Sequence, residues 1–151
     1  MPVHPPIRVL IVDDHAGIRA GLMGLINSEQ PTLCAVGAAA SSADALAQAG
    51  KQQPDVIVLD VNLGGEDGLA LMPALQRAAP CEVVVLTSLL DPRVEAHARL
   101  LGAHACLHKT APAAELLAAI LAARPATLSA HDPHPSNAGG DLSRLARSNY
   151  P

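Results

Sequence analysis

From its first residues onward the chain repeats one pattern: a short aliphatic run, then a longer stretch with apolar positions at helical spacing. Ile7–Val12 is aliphatic apart from Arg8 and ends in Asp13 and Asp14, which predicts a strand buried on both faces. His15–Ser28 repeats Ile18, Leu22, Leu25 and Ile26 at helical spacing. Thr32–Val36 gives a weaker second strand, and Ser41 and Ser42 are caps for a helix reaching about Gln53. Asp55–Leu59 is the clearest strand and ends in Asp60; Gly64, Gly65 and Gly68 then mark a loop before a helix over Leu69–Ala79. Glu82–Leu86 predicts the fourth strand, closed by Thr87 and Ser88. Asp91 and Pro92 open the next helix in cap-then-proline order, with Gly102 just past its end near Leu101. Ala105–His108 is a short fifth strand followed by Lys109, and Pro112 opens a last helix, Ala113–Ala123, with a stripe of Leu116, Leu117, Ile120 and Leu121.

Five strand–helix pairs in alternation predict an α/β fold, a five-stranded parallel sheet doubly wound by helices on both faces. Residues 1–6 read as an N-terminal extension and 7–124 as the domain. From Pro125 the periodicity stops, and proline, serine, histidine and Gly139-Gly140 make 125–151 an expected disordered tail. A length of 151 residues suits one domain. Half the residues are hydrophobic and 16% are charged, which favours a packed core over disorder. The net charge of −4 argues against a domain that grips nucleic-acid backbone. The chain has no Trp, no Phe and a single Tyr, Tyr150, so the core is expected to be aliphatic and base-stacking platforms are missing. Cys34, Cys81 and Cys106 form no C-x-x-C pair and read as free thiols of a reducing compartment. With no signal-peptide pattern at the N-terminus and no apolar run near the ~18 residues of a spanning helix, a soluble cytoplasmic protein is expected.

The chemistry sits at strand ends. Asp13 and Asp14 follow the first strand, Asp60 the third, Thr87 the fourth and Lys109 the fifth. In an open parallel sheet, ligands bind outside the carboxyl ends of the strands where the winding switches, between strands one and three for the order 2-1-3-4-5. Three carboxylates gathered there repel one another unless a cation sits among them. Oxygen-only ligation suits Mg²⁺. Asp60 could then attack phosphorus as a carboxylate nucleophile, with Lys109 and the Thr87 hydroxyl on the phosphoryl oxygens.

These residues resemble the response-regulator receiver domain of two-component signalling. The similarity rests on Val9–His15 with its Asp13-Asp14 pair, Asp55–Asp60 followed by Asp67-Gly68-Leu69, Val83–Ser88, and Gly102-Ala103 with Lys109. The Asp-Asp-His start and Ile18-Arg19 with Gly21-Leu22 are most similar to LuxR/NarL-type receivers. The resemblance implies a flavodoxin-like (βα)5 fold and a phosphorelay role for this chain. On that resemblance Asp60 would accept a phosphoryl group from the histidine of a sensor kinase or from a phosphotransfer protein. Asp13, Asp14 and Asp60 would hold Mg²⁺ with the backbone carbonyl of Asn62, while Thr87 and Lys109 would contact the phosphoryl group. The resemblance also implies a phosphoacceptor switch with slow self-dephosphorylation in place of an enzyme, no direct nucleic-acid or membrane contact, and signalling to a downstream protein. The face made by the fourth helix, fifth strand and fifth helix is where such domains signal or form homodimers. Asn62 and Leu89 are the first positions at which to seek control of phosphate lifetime.

Two positions depart from the family pattern. Gly64 stands where a proline is common, and Cys106 stands where the fifth strand usually carries the aromatic that reports on the Thr87 hydroxyl. A signal from Thr87 then has to travel by backbone movement or through a smaller side chain. These departures motivate an alternative, a phosphate-independent receiver-like interaction module. The LuxR/NarL-like start motivates another, the receiver half of a DNA-binding regulator, although residues 110–151 leave no room for a DNA-binding domain. Other features have plainer readings: His15 lines the first loop, Cys106 is a small buried apolar residue, and His131 and His134 lie in a Pro-rich tail with no metal role.

Overall fold

A computed structural model describes residues 5–89 and 91–124. The expected tail at 125–151, with His131, His134 and Tyr150, lies outside the described residues, as does most of the N-terminal extension. The elements run β1 (Ile7–Val12), α1 (Ala16–Asn27), β2 (Leu33–Ala39), α2 (Ser42–Gln52), β3 (Val56–Asp60), α3 (Gly68–Ala78), β4 (Glu82–Thr87), α4 (Pro92–Leu100), β5 (Ala105–His108) and α5 (Ala113–Ala122). The sheet order is β2-β1-β3-β4-β5, with all neighbours parallel. This is the doubly wound, flavodoxin-like order expected from the sequence.

Alternation along the strands divides the core in two. Leu10, Ile57 and Val85 point toward α2, α3 and α4, where Ala49, Leu75 and Ala98 meet them. Val9, Val58 and Val84 point to the other face, against Ile26 of α1 and Leu116 and Ile120 of α5. Every side chain of both buried clusters is aliphatic or sulfur-containing, so packing rests on branched side chains interdigitating at small volume.

Two local features differ from the sequence reading. The second strand begins one residue later than expected and continues to Ala39, three residues beyond Val36. Gly37 and the alanines around it carry little strand preference; pairing with β1 across a register shift at Val9/Leu10 holds them extended. The glycine loop after β3 contains a two-residue antiparallel ribbon, Asn62–Leu63 against Glu66–Asp67. Gly64 and Gly65 make its turn at φ +60° and +93°, which accounts for glycine where a proline could not sit. Glu66 anchors the ribbon to α2 by accepting from the Ser42 backbone N–H and hydroxyl, at 3.2 and 2.9 Å.

Helix ends follow their caps. Ser41 accepts from the Asp44 N–H, and Asp67 from the Leu69 N–H. Asp91 accepts from both Arg93 and Val94 N–H groups, with Pro92 at the first helical position. No described helix is long and apolar enough to cross a membrane.

Candidate functional site

Asp13, Asp60 and Thr87 are 1%, 3% and 4% exposed, and they are the buried polar or charged residues among those described. All three leave the carboxyl ends of adjacent strands, so the parallel sheet gathers them at one edge. A buried carboxylate is costly unless it is paired. Here the partner is Lys109, immediately after β5, whose Nζ lies 3.0 Å from Asp13 Oδ2 and 3.1 Å from Asp60 Oδ2. The last ladder contact, Lys109 N–H to the Thr87 carbonyl at 2.9 Å, fixes where that side chain starts.

Electrostatics at the site run in opposing directions. Burial pushes the Asp60 carboxyl above the usual carboxylate range, and the Asp13 charge adds to the rise. The Asn62 backbone N–H, donating to Asp60 Oδ1 at 3.1 Å, and Lys109 pull it back without cancelling it. For Lys109, burial lowers the ammonium, but contacts with Asp13 and Asp60 outweigh it and the net direction is upward, so the side chain holds its charge.

The donor set suits a hard divalent cation. Asp13, Asp14, His15 and Asp60 each offer a ligand atom, and these atoms lie within 4.8 Å of one another. Asp13 Oδ2 and Asp14 Oδ1 are buried and lack a well-directed hydrogen bond, the condition in which carboxylate oxygens accept a metal. Lys109 Nζ stands 3.0 Å from Asp13 Oδ2, and His15 Nδ1 stands 3.0 Å from Asp14 Oδ1. Asn62 lies at the start of the ribbon beside Asp60, its side chain accepting from the Gly65 N–H at 3.0 Å. Thr87 turns its hydroxyl toward its own loop, donating to the Leu89 carbonyl and accepting from the Leu89 N–H, both at 3.1 Å. A cleft lined by Asp60, Asn62, Thr87, Ser88, Leu89 and Val94 opens onto these groups.

Three residues that the sequence reading used only as motif positions support the site through contacts of their own. His15 donates its backbone N–H to Asp13 Oδ1 at 2.8 Å and places its ring beside both acidic side chains. Arg19 reaches back from α1 to the Asp13 carbonyl at 2.8 Å, bracing the end of β1. Gly68 opens α3 by donating to the Val61 carbonyl at 2.6 Å, in a space where a β-carbon would collide with the Asp60 carbonyl. Cys106 sits as the sequence suggested, 6% exposed in the core cluster that also holds Ala98 and Ala103. Burial raises its thiol, Glu95 adds to the rise, and Arg99 opposes it, so the sulfur is packed and protonated.

Over residues 9–121 the chain matches the family model described as response regulator receiver domain. It is 37% identical over 118 residues to a protein-glutamate methylesterase/protein-glutamine glutaminase of Maricaulis maris, covering 78% of this chain and 29% of that protein. It is 36% identical over 123 residues to the transcriptional regulatory protein LiaR of Bacillus subtilis, covering 78% of this chain and 56% of LiaR. The chain thus spans less than two thirds of either relative. Among solved structures, the response regulator domain of Thermotoga maritima CheB superposes with a TM-score of 0.72 at 31% identity, over 78% of this chain and 96% of that one. The receiver domain of NarL from Mycobacterium tuberculosis gives 0.71 at 28% identity, over 78% and 95%.

Proposed function

Because the chain belongs to the response regulator receiver domain family, we propose that it is a phosphoacceptor switch whose acceptor is Asp60. Phosphorylation on an aspartate is general in that family, and its members interact with histidine kinases or phosphotransfer proteins. The observation that carries the reading is the convergence of Asp13, Asp60 and Thr87 as buried polar groups, with Lys109 between the two carboxylates. A fold that only needed packing would not gather them at the carboxyl edge of the sheet.

In the proposed step a carboxylate oxygen of Asp60 attacks the phosphorus of a phosphohistidine. An O–P bond forms, the N–P bond breaks, and the imidazole leaves with the electron pair. Lys109 stands beside Asp60 and offsets charge on the phosphoryl oxygens as they arrive. Thr87 exchanges its Leu89 contacts for a bond to one of those oxygens. Asp13, Asp14 and Asp60, with the Asn62 carbonyl, would hold Mg²⁺, which supplies charge neutralisation between the carboxylates and the phosphoryl group. The role proposed for the chain is signalling by protein–protein contact in the cytoplasm.

The test is incubation with Mg²⁺ and acetyl phosphate followed by intact-mass measurement. A single phosphoryl adduct, absent in Asp60→Ala, supports the reading; no adduct, or one that survives Asp60→Ala, overturns it. The small buried Cys106 favours a second reading, a phosphate-independent interaction module. That reading gains if partner binding is unchanged by Asp60→Ala and by a phosphoryl mimic.

A further inference from the structure

The loop bearing Thr87 and the loop bearing Lys109 are tied together by one imidazole. His108 is the last residue of β5 and pairs in register with Thr87. Its Nδ1 accepts from the Thr110 backbone N–H at 3.1 Å and from the Thr110 hydroxyl at 2.6 Å. With Nδ1 accepting, the ring hydrogen belongs on Nε2, which lies 3.0 Å from the Ser88 carbonyl and donates to it. Both ring nitrogens are therefore committed, one to each loop. Side chains alternate along a strand, so His108 lies on the same face of β5 as Cys106, two residues nearer the site.

This geometry meets a gap left by packing. Cys106 is 6% exposed and belongs to the buried core cluster on the α2, α3 and α4 side of the sheet. Thr87 is held at its hydroxyl by Leu89, the residue after Ser88. If the Thr87 hydroxyl turns toward a phosphoryl group on Asp60, both Leu89 contacts break and the Ser88–Leu89 backbone is released. The group already gripping that backbone from β5 is the His108 ring.

We propose that His108 is the positioning residue that couples the Thr87 loop to β5, doing at position 108 what a ring at position 106 does not do in this chain. The proposal rests on the phosphoacceptor reading of Asp60. His108 acts through Ser88 and has no contact with the phosphoryl group itself. Movement of Ser88 then loads the ring, the ring loads Thr110, and the start of α5 shifts with it.

The experiment uses the full chain with ¹⁵N-labelled histidine and Mg²⁺, with and without beryllium fluoride as phosphoryl mimic. Long-range ¹H–¹⁵N spectra read the ring, and the His108 signals are assigned by their loss in His108→Gln. Without the mimic, His108 is expected as the Nε2–H form; with it, the Nε2–H resonance shifts, and this shift is absent in Asp60→Ala. A second reading follows backbone amides of α5. Their response to the mimic falls to less than half in His108→Leu and returns in His108→Gln, whose amide can still donate to Ser88. An acetyl-phosphate adduct on wild type with an unmoved His108 ring overturns this inference and leaves the phosphoacceptor reading standing. Absence of any adduct overturns that reading and the inference with it. If His108→Leu fails to fold, the wild-type ring response decides the matter.

Discussion

The first residue of α3, Gly68, is packed against the backbone carbonyl of Asp60 so closely that no β-carbon fits between them. The helix start is thereby used as a stop for the end of β3, with the Gly68 N–H holding the Val61 carbonyl at 2.6 Å. Gly68→Ala must push one backbone away from the other, and overpacking of this kind costs about 1–3 kcal/mol. Urea denaturation should show that loss. Phosphoryl uptake should fall as well, because the displaced backbone belongs to the acceptor. Unchanged stability and uptake would mean the close approach has no structural weight.

Asp60 itself is held at a cost. Burial raises its carboxyl above the ordinary range. The folded state therefore binds that proton more tightly than the unfolded chain does, so at neutral pH the ionised group opposes folding. Asp60→Asn keeps the shape, removes the charge and leaves Asp13 to pair with Lys109. The expected result in metal-free buffer is a modest gain in stability, because the buried charge beside Asp13 is gone while Asp13 keeps its contact with Lys109. Equilibrium unfolding measures it; a loss of similar size would show that the Lys109 contact outweighs burial.

A cation in the acidic cluster should stabilise the native chain by mass action. At a hundredfold excess of Mg²⁺ over its dissociation constant the gain is about 2.7 kcal/mol. Thermal unfolding with and without Mg²⁺ checks this, and Asp13→Asn and Asp14→Asn should each abolish most of the shift. Equal shifts in all three proteins would place the ion elsewhere.

The start of α4 carries a pH dependence that is separate from the cluster. Asp91 caps the helix, and the Val94 N–H first, then the Arg93 N–H and charge, lower its carboxyl from the ordinary range. A lowered folded value means the cap is complete above the unfolded pKa and is lost as pH falls through the folded one. Hydrogen exchange at the Arg93 and Val94 amides should therefore accelerate relative to the sheet only as pH falls below about 4. Asp91→Asn keeps an acceptor that does not titrate and should flatten that dependence.

The strand ends were readable because each aliphatic run stops at a polar residue, and parallel strands point those residues to one side. Asp13, Asp60, Thr87 and Lys109 thus come together much as the sequence suggests. What could not be read depends on distances between segments far apart in the chain. The extension of β2 through Gly37 to Ala39 is imposed by β1. The close approach at Gly68, the Arg19 brace on Asp13 and the His108 bridge to Ser88 each join residues whose types alone give no hint of the contact. His15 is similar: a histidine in a loop says nothing until its ring is seen beside two carboxylates.

The aliphatic core makes the domain optically silent. Residues 7–124 hold no Trp, Phe or Tyr, so this part of the chain adds no aromatic signal to near-ultraviolet absorbance or intrinsic fluorescence. An indole placed anywhere in the domain would then be its sole fluorophore. Leu100, 85% exposed at the end of α4, accepts one without disturbing packing, and Leu100→Trp would turn that helix into a reporter read against a dark background.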